Sequence, residues 1–180
     1  MEYIDVLDKN GNKTGEIKEK NNIYNDGDFH KTIHVWIIND NNEILVQKRS
    51  PKKETFAGLW AISVAGHVRS GETSIDAAKR ELREELGQKV KDEELTYLFT
   101  INREQEFEDH LLNVIDDVYI IKLNLDVENT KLQFKELTDI KYVYYEYLER
   151  IFKNKDKEYV PYSEEHKKLF EYLHKTLDKK

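Results

Sequence analysis

The sequence predicts an α+β fold, with strands on both sides of one central helix and further helices at the end of the chain. Two observations lead to this prediction. Short segments of alternating or continuous apolar residues, typical of strands, occupy much of the first 145 residues. Two longer segments, 74–86 and 163–177, instead repeat apolar residues with the period of an amphipathic helix. Strands that flank one helix and are followed by helices are typical of α+β domains and of sandwiches with a mixed sheet.

Strand and turn signals describe the first part of the chain. Residues 2–8 alternate like a strand, and a Lys-Asn-Gly-Asn turn at 9–12 leads to a return strand near 14–18. Residues 21–28 are rich in Asn, Asp and Gly, which predicts a loop. Three further strands are predicted, at 30–38, 43–49 and 60–64.

The central helix is predicted from Ser74 to Leu86. Thr73 or Ser74 is suited to cap its N-terminus, and Asp76 places a negative charge in the first turn, where the helix dipole favours it. Gly87 is suited to the left-handed conformation that ends many helices. The apolar stripe of this helix consists of Ile75, Ala78, Leu82 and Leu86.

The second half of the chain continues the alternation of strands and then ends in helices. The predicted elements are strands at 94–101, 111–123 and 140–144, an acidic loop at 102–110, and helices at 145–152 and 163–177. We therefore expect one domain over residues 1–180. It has an N-terminal hairpin at 1–20, a core at about 30–145 and C-terminal helices at 145–180.

Composition excludes several classes of protein. The formal net charge of −7 argues against a nucleic-acid or membrane-surface binder that depends on bulk positive charge. No apolar run is long enough to span a membrane, and the first residues lack a signal-peptide pattern. The chain has no cysteine, which excludes disulfides and thiolate chemistry and suits a cytoplasmic location. The sequence leaves the oligomeric state open, with a homodimer as one arrangement.

Three carboxylates crowd one face of the central helix. Glu81, Glu84 and Glu85 are spaced i, i+3 and i+4, and like charges at these spacings repel one another. A helix that tolerates this repulsion is either well solvated or binds something positive. Oxygen ligands are those that Mg²⁺ prefers, and Mg²⁺ usually retains waters and binds phosphate oxygens as well. The spacing therefore indicates a divalent-cation site.

The segment from Gly66 to Gln88 resembles the Nudix box, the signature of the Nudix hydrolase superfamily. The matching positions are Gly66, Glu72, Arg80, Glu81, Leu82, Glu84, Glu85 and Gly87. One position departs from the pattern, because Gln88 stands where the family has an apolar residue. This departure concerns local packing after the helix rather than the charged positions.

The resemblance implies an α/β/α sandwich and a hydrolase that uses Mg²⁺ or Mn²⁺ to cleave a small-molecule diphosphate, in a nucleoside diphosphate linked to another group. It implies that Glu81, Glu84, Glu85 and the Gly66 carbonyl ligate the metal and that Arg80 steers Glu81. Glu72 is expected to support the loop. The metal would neutralise the diphosphate and activate the attacking water. The identity of the general base stays open, and three carboxylates of the 102–110 segment are candidates besides the box: Glu104, Glu106 and Glu108.

Residues outside the box are similar to the isopentenyl-diphosphate isomerase branch of the superfamily. The similarity covers His30-Lys31, the segment 47–49, Phe56 to Trp60 and Ala65-Gly66-His67. The isomerases carry a catalytic cysteine where this chain has Ala65, and a Glu-x-Glu pair that aligns with Leu112-Asn113-Val114. An isomerase is therefore the second hypothesis, and a Nudix module that senses a nucleotide without cleaving it is the third.

Four residues that are not among the matching positions of the box are candidates for substrate binding. His30 and His67 match metal-binding histidines of the isomerases, so each is predicted to bind a second metal, to contact phosphate, or to play a structural role. Lys48 and Arg49 end a strand that should border the cleft, where Arg suits bidentate phosphate binding. The alternative for both is a solvated strand end.

Overall fold

A computed structural model describes residues 2–53, 55–106 and 111–177. Its residue contacts divide the chain into two compact units. The first unit comprises Met1–Val35, Ala65–Arg83 and Lys89–Ile120, and the second comprises Trp36–Val64, Glu84–Gln88 and Ile121–Lys180. Each unit is built from separate segments of the sequence, so neither corresponds to one continuous half of the chain.

The described residues form nine strands, four α-helices and a short 3-10 turn at Asp92–Glu94. The strands are β1 (Tyr3–Leu7), β2 (Lys13–Glu19), β3 (His30–Ile38), β4 (Glu43–Arg49), β5 (Trp60–Ala61), β6 (Val64–His67), β7 (Leu95–Glu106), β8 (Leu111–Lys122) and β9 (Leu137–Tyr144). The helices are α1 (Lys20–Asp26), α2 (Ser74–Leu86), α3 (Tyr145–Lys153) and α4 (Glu164–Leu177).

The strands belong to two sheets. β1 and β2 form an antiparallel pair, and seven strands form a mixed sheet with the order β5-β4-β3-β8-β7, in which β6 pairs with β3 and β9 with β4. β9 runs antiparallel along the whole of β4, from Glu43 opposite Tyr144 to Arg49 opposite Leu137. The predicted α+β class with a mixed sheet and C-terminal helices is confirmed.

The loop predicted at 21–28 is wrong, because this segment contains α1. Propensity alone disfavours a helix rich in Asn and Asp, but tertiary contacts override it. Ile23 is buried and clusters with Ile4 and Val6 of β1. Gly27 ends the helix in a left-handed conformation, φ 69°, and its N–H donates to the carbonyl of Tyr24. A single apolar side chain therefore anchors a helix that the local sequence does not favour.

The acidic loop predicted at 102–110 is wrong for residues 102–106, which belong to β7, and its remaining residues lie outside the described part of the chain. Polar contacts to β8 accompany this extension. Arg103 donates to the buried carboxylate of Asp116, and Thr100 donates to Asp117 Oδ1 over 2.7 Å. Glu104 and Glu106 thus lie in a strand, whereas Glu108 lies outside the described residues.

Smaller corrections concern two other strands. The strand predicted at 60–64 is interrupted, because β5 covers only Trp60–Ala61 and β6 begins at Val64 and continues to His67. β9 begins at Leu137 instead of residue 140. The second unit gathers its apolar side chains from β4, β9, α3 and α4, where Tyr145, Leu148, Phe152, Leu169, Phe170 and Leu173 are all buried. None of the described helices has the length and apolar content needed to cross a membrane.

Candidate active site

The helix that carries the Nudix-box acids begins and ends as the sequence predicts. Thr73 caps α2, because its hydroxyl accepts a hydrogen bond from the backbone N–H of Asp76 over 3.2 Å. Gly87 follows the last turn with φ 71°, the left-handed conformation expected of a C-terminal glycine. Leu82 and Leu86 are fully buried. Capping and burial together fix the register of the acidic face.

Gly66 lies directly against the carboxyl group of Glu81. A Cβ atom built on Gly66 would overlap Cγ, Cδ and Oε1 of Glu81, at separations that real Cβ atoms essentially never show. The φ of Gly66 is not in the left-handed region, so backbone conformation does not require glycine here. The missing side chain is what allows the carboxylate to approach the main chain of β6 so closely.

Arg80 connects the parts of this site within the first unit. Its guanidinium donates to both oxygens of Glu72, over 2.9 and 3.0 Å, and to Glu81 Oε1 over 2.5 Å. It also donates to the main-chain carbonyl of His67 over 2.7 Å. Burial lowers the pKa of Arg80, but the hydrogen bonds and charges of Glu72 and Glu81 outweigh it and raise the pKa above its ordinary value. Arg80 is therefore a buried, permanent cation that fixes the Glu81 side chain.

Glu72 has a supporting position. One of its oxygens accepts the backbone N–H of Arg69 over 3.1 Å, in addition to both bonds from Arg80. The carboxylate thus closes the loop between β6 and α2 around the guanidinium. This geometry agrees with the role in loop support expected from the sequence.

The other two acids of the box lie in the last turn of α2, with different exposure. Glu84 is exposed, whereas Glu85 is buried and its main-chain carbonyl accepts the N–H of Gln133 over 3.3 Å. Gln88, the departure from the box pattern, is half-buried, and its side-chain amide donates to the Leu86 carbonyl over 3.2 Å. The polar side chain at this position therefore donates a hydrogen bond to a carbonyl at the C-terminal end of α2, where the family pattern has an apolar residue.

The structure brings His30 and His67 together. Their rings stack with centroids 5.4 Å apart, and Tyr24 Oη lies 2.6 Å from His67 Nε2. The Tyr24 ring also meets His30 edge-on, with a centroid distance of 5.4 Å. His30 Nδ1 lies 3.2 Å from the Asp28 carbonyl, which only accepts, so this nitrogen carries the proton. In the described part of the chain, the buried His30 Nε2 has no hydrogen-bond partner.

Burial of His30 predicts a pH dependence of stability. Burial lowers the pKa of His30 below its ordinary 6.5, although the Asp28 carbonyl and Asp116 oppose the shift. The unfolded chain therefore binds a proton at His30 more readily than the folded chain does. The contribution of neutral His30 to the free energy of unfolding is complete above pH 6.5 and is lost as pH falls towards the lowered pKa. A His30→Asn variant should show a flatter slope of unfolding free energy against pH below 6.5, by up to about 1.4 kcal/mol per pH unit. Urea unfolding of both proteins at several pH values measures the slopes, and equal slopes would contradict the assignment.

Lys48 and Arg49 have different neighbours at the end of β4, where the register with β9 shifts between these two residues. The Lys48 ammonium lies 5.6 Å from the centroid of the Trp60 ring, over which Lys141 also sits at 3.9 Å. Arg49 instead donates from Nε to the Thr55 carbonyl over 3.0 Å. The two candidates therefore have different neighbours, and phosphate binding stays a prediction for each of them.

Sequence reasoning missed two features of the first unit. Tyr24 lies in the segment predicted as a loop, and nothing in its local sequence connects it with His67. Asp116 and Asp117 lie within the apolar strand β8, and both are buried. Asp116 accepts bonds from Thr32 and Arg103, and Asp117 pairs with Lys31 over 3.0 Å. The signal in the sequence for these buried ion pairs was two adjacent aspartates within an otherwise apolar strand.

Comparisons with known proteins identify the family of this chain. The family described as NUDIX domain matches residues 28–163. Nudix hydrolase 3 of Arabidopsis thaliana is 37% identical over 179 residues, which cover 96% of this chain but 23% of that protein. An uncharacterized Nudix hydrolase of Listeria innocua is 32% identical over 162 residues, or 90% of each chain. An isopentenyl-diphosphate Delta-isomerase of Halorhodospira halophila is 38% identical over 88 residues, 48% of this chain and 50% of that one.

Solved structures share the fold at lower sequence identity. DR0079 of Deinococcus radiodurans has a TM-score of 0.71 at 19% identity, covering 94% of this chain and 98% of that one. The Nudix domain of NrtR from Shewanella oneidensis, crystallised with ADP ribose, has a TM-score of 0.58 at 16% identity and covers 82% of this chain and 87% of that one. With a family match across 28–163 and Nudix hydrolases aligned along nine-tenths or more of its length, this chain belongs to the NUDIX domain family and is a hydrolase of that family.

Proposed function

We propose that this protein is a divalent-metal-dependent hydrolase that cleaves a diphosphate linkage in a nucleoside diphosphate or a derivative of one. The observation that carries the proposal is the contact between Gly66 and Glu81, with Arg80 bonded to the same carboxylate. A helix with only a structural role does not require a carboxylate that packs against a glycine and accepts a hydrogen bond from a buried arginine. An arrangement that fixes one carboxylate in this way is suited to ligand binding.

The residues fit a hard divalent cation, Mg²⁺ or Mn²⁺. The donors proposed are all oxygens: the carboxylates of Glu81, Glu84 and Glu85 and the carbonyl of Gly66. Oxygen-only donor sets select Mg²⁺ and Mn²⁺ over the softer transition metals. The absence of a side chain on Gly66 leaves its main chain open beside Glu81, where any Cβ would fill the space. When bound, such a cation neutralises phosphate charge and lowers the pKa of water.

The protein side chains then have distinct tasks. Arg80 fixes the Glu81 carboxylate through a short hydrogen bond and is itself oriented by both oxygens of Glu72. Preorganisation of this kind accelerates reactions because no side chain has to reorganise in the transition state. Arg49, oriented by Thr55, is proposed to bind a phosphate group of the substrate, and His30 and His67 to line the site.

The substrate class rests on general features of the family and on one solved relative. ADP ribose, bound by the NrtR domain, is a nucleoside diphosphate linked to a sugar. Because that likeness concerns the fold alone, ADP ribose enters here as a member of the test panel. We propose that the protein acts in the cytoplasm on small molecules of this chemical class.

The alternative activity is isomerisation of isopentenyl diphosphate, favoured by 38% identity to an isomerase over 88 residues. Position 65, however, is Ala, and the chain contains no cysteine to transfer a proton. Asn113 occupies the aligned Glu-x-Glu region, and its amide donates to the Gly27 carbonyl over 2.8 Å. An amide engaged in this way neither gives nor takes a proton, so hydrolysis is the better-supported activity.

A substrate panel tests the proposal. The wild type, Glu85→Gln and the exposed control Glu146→Gln are incubated with and without Mg²⁺ and a set of phosphate compounds. The set comprises nucleoside diphosphates and triphosphates, ADP ribose and other nucleotide sugars, dinucleoside polyphosphates and isopentenyl diphosphate. We expect release of phosphate or a nucleoside monophosphate that requires metal, is retained in the control and falls by at least about 100-fold in Glu85→Gln. Isomerised isopentenyl diphosphate without any hydrolysis would overturn the proposal.

A further inference from the structure

The side chain of Tyr24 reaches the candidate site through His67. Its hydroxyl lies 2.6 Å from His67 Nε2, and the two rings meet edge-on with a centroid distance of 5.9 Å. The His67 ring also stacks on the buried ring of His30, with centroids 5.4 Å apart. The His67 ring is therefore held by a hydrogen bond and by a stacking contact from different residues.

The main chain of His67 belongs to the site itself. Its carbonyl accepts a hydrogen bond from Arg80 Nη2 over 2.7 Å, and the preceding residue is Gly66, against which Glu81 packs. The following residue, Val68, donates its N–H to the Lys31 carbonyl over 3.0 Å. Any rotation of the His67 main chain would therefore move Gly66, which contacts Glu81, together with the His67 carbonyl that accepts the hydrogen bond from Arg80.

Tyr24 is itself well fixed. It belongs to α1, next to Ile23, which is buried with Ile4 and Val6. Lys18 pairs with Asp26 and Asp28, which flank the end of the helix, at 2.7 and 2.5 Å. Burial of Ile23 and the ion pairs of Lys18 therefore fix the middle and the C-terminal end of α1, so Tyr24 is held well enough to orient another residue.

We propose that Tyr24 is a positioning residue for Glu81, acting through the ring and main chain of His67. This inference rests on the proposed function, in which Glu81 ligates a divalent cation. Removing the Tyr24 hydroxyl leaves the ring contacts in place but removes one hydrogen bond that orients the imidazole of His67. The carboxylate site should then be less well ordered, so both metal affinity and turnover should fall, while substrate affinity changes little.

The test uses the protein of residues 1–180 and two tyrosine variants. Tyr24→Phe removes the hydroxyl bonded to His67, and Tyr97→Phe removes a phenol hydrogen bond of similar length, 2.7 Å to Thr100 Oγ1. Mn²⁺ affinity is measured by electron paramagnetic resonance, and kcat and KM are measured with the best substrate of the panel. We expect Tyr24→Phe to weaken Mn²⁺ binding and lower kcat by about five- to tenfold with KM nearly unchanged. Tyr97→Phe should resemble the wild type.

A double-mutant cycle shows whether the effect passes through His67. In a His67→Ala background, Tyr24→Phe should change kcat and Mn²⁺ affinity by less than about twofold, because the bonded partner is gone. An effect as large as in the wild-type background would overturn the inference, as would a Tyr24→Phe protein that is only less heat-stable, with normal Mn²⁺ affinity. If the wild type hydrolyses nothing, the proposed function fails, while the Mn²⁺ arm still decides the role of Tyr24.

Discussion

Replacing Gly66 by alanine is expected to lower kcat for diphosphate hydrolysis by at least about 100-fold, because a displacement of reacting groups by about 1 Å costs this much. The new Cβ would occupy the volume of the Glu81 carboxyl group, so that side chain has to move away from β6. The backbone of Gly66 is outside the left-handed region, so alanine adds no conformational strain of its own. The loss should therefore appear in steady-state kinetics of a folded protein.

A second glycine provides the matched control. Gly15 lies in β2 with φ 89°, and a Cβ there would meet no atom within 4 Å. Gly15→Ala should therefore lose about 1 kcal/mol of stability through backbone strain and keep its full activity. Comparable activity in Gly66→Ala and Gly15→Ala would show that the contact with Glu81 is not needed for catalysis.

Replacing Arg80 by lysine should affect both stability and activity. Lysine keeps the charge but not the fork that reaches Glu72, Glu81 and the His67 carbonyl together. Buried acceptors that lose a donor cost about 1–3 kcal/mol, which urea unfolding would detect. Release of Glu81 should lower kcat by about 100-fold as well.

Arg83 offers a control on the same helix. It is exposed in α2, so Arg83→Lys makes the same chemical change without disturbing the buried network. Its stability should stay within about 0.5 kcal/mol of the wild type, with unchanged kcat. An Arg80→Lys protein that matches Arg83→Lys in both measurements would mean that the guanidinium network is dispensable.

The bounds of an element were predicted correctly where its pattern of apolar and polar residues matches the burial of its side chains. β3 and β4 begin and end at the expected residues, since continuous apolar runs with turn residues between them have few alternatives. The bounds of α2 are also as expected, because Thr73 and Gly87 supply capping chemistry at both ends. Local signals were sufficient where they agreed with the tertiary contacts.

Elements stabilised by distant residues were not predictable in this way. α1 depends on Ile23 packing against β1, and the end of β7 is accompanied by the pairing of Arg103 with Asp116. Neither partner is near in sequence, so a single sequence carries no local sign of them. The same reason explains why Tyr24 was overlooked, since its partner His67 lies 43 residues further along the chain.

The candidate site was predictable to the extent that it is local. The order of residues in the box was sufficient to expect Gly66, Arg80 and Glu81 in one site, and the structure places these three in contact. The neighbours of Lys48 and Arg49 were not predictable: the structure holds Lys48 beside Trp60 and Arg49 beside Thr55, and β4 shifts register against β9 between the two residues. Phosphate binding by either residue stays a prediction.

The most direct test of the account is the Mn²⁺ affinity of the Gly66→Ala variant, measured by electron paramagnetic resonance beside the wild type and Gly15→Ala. The central claim is that Gly66 leaves space for the Glu81 carboxylate to bind a divalent cation. We predict saturable binding to the wild type and Gly15→Ala, and binding weakened by at least about tenfold in Gly66→Ala, with Arg80 and the fold retained. Equal Mn²⁺ affinity in all three proteins would contradict the claim.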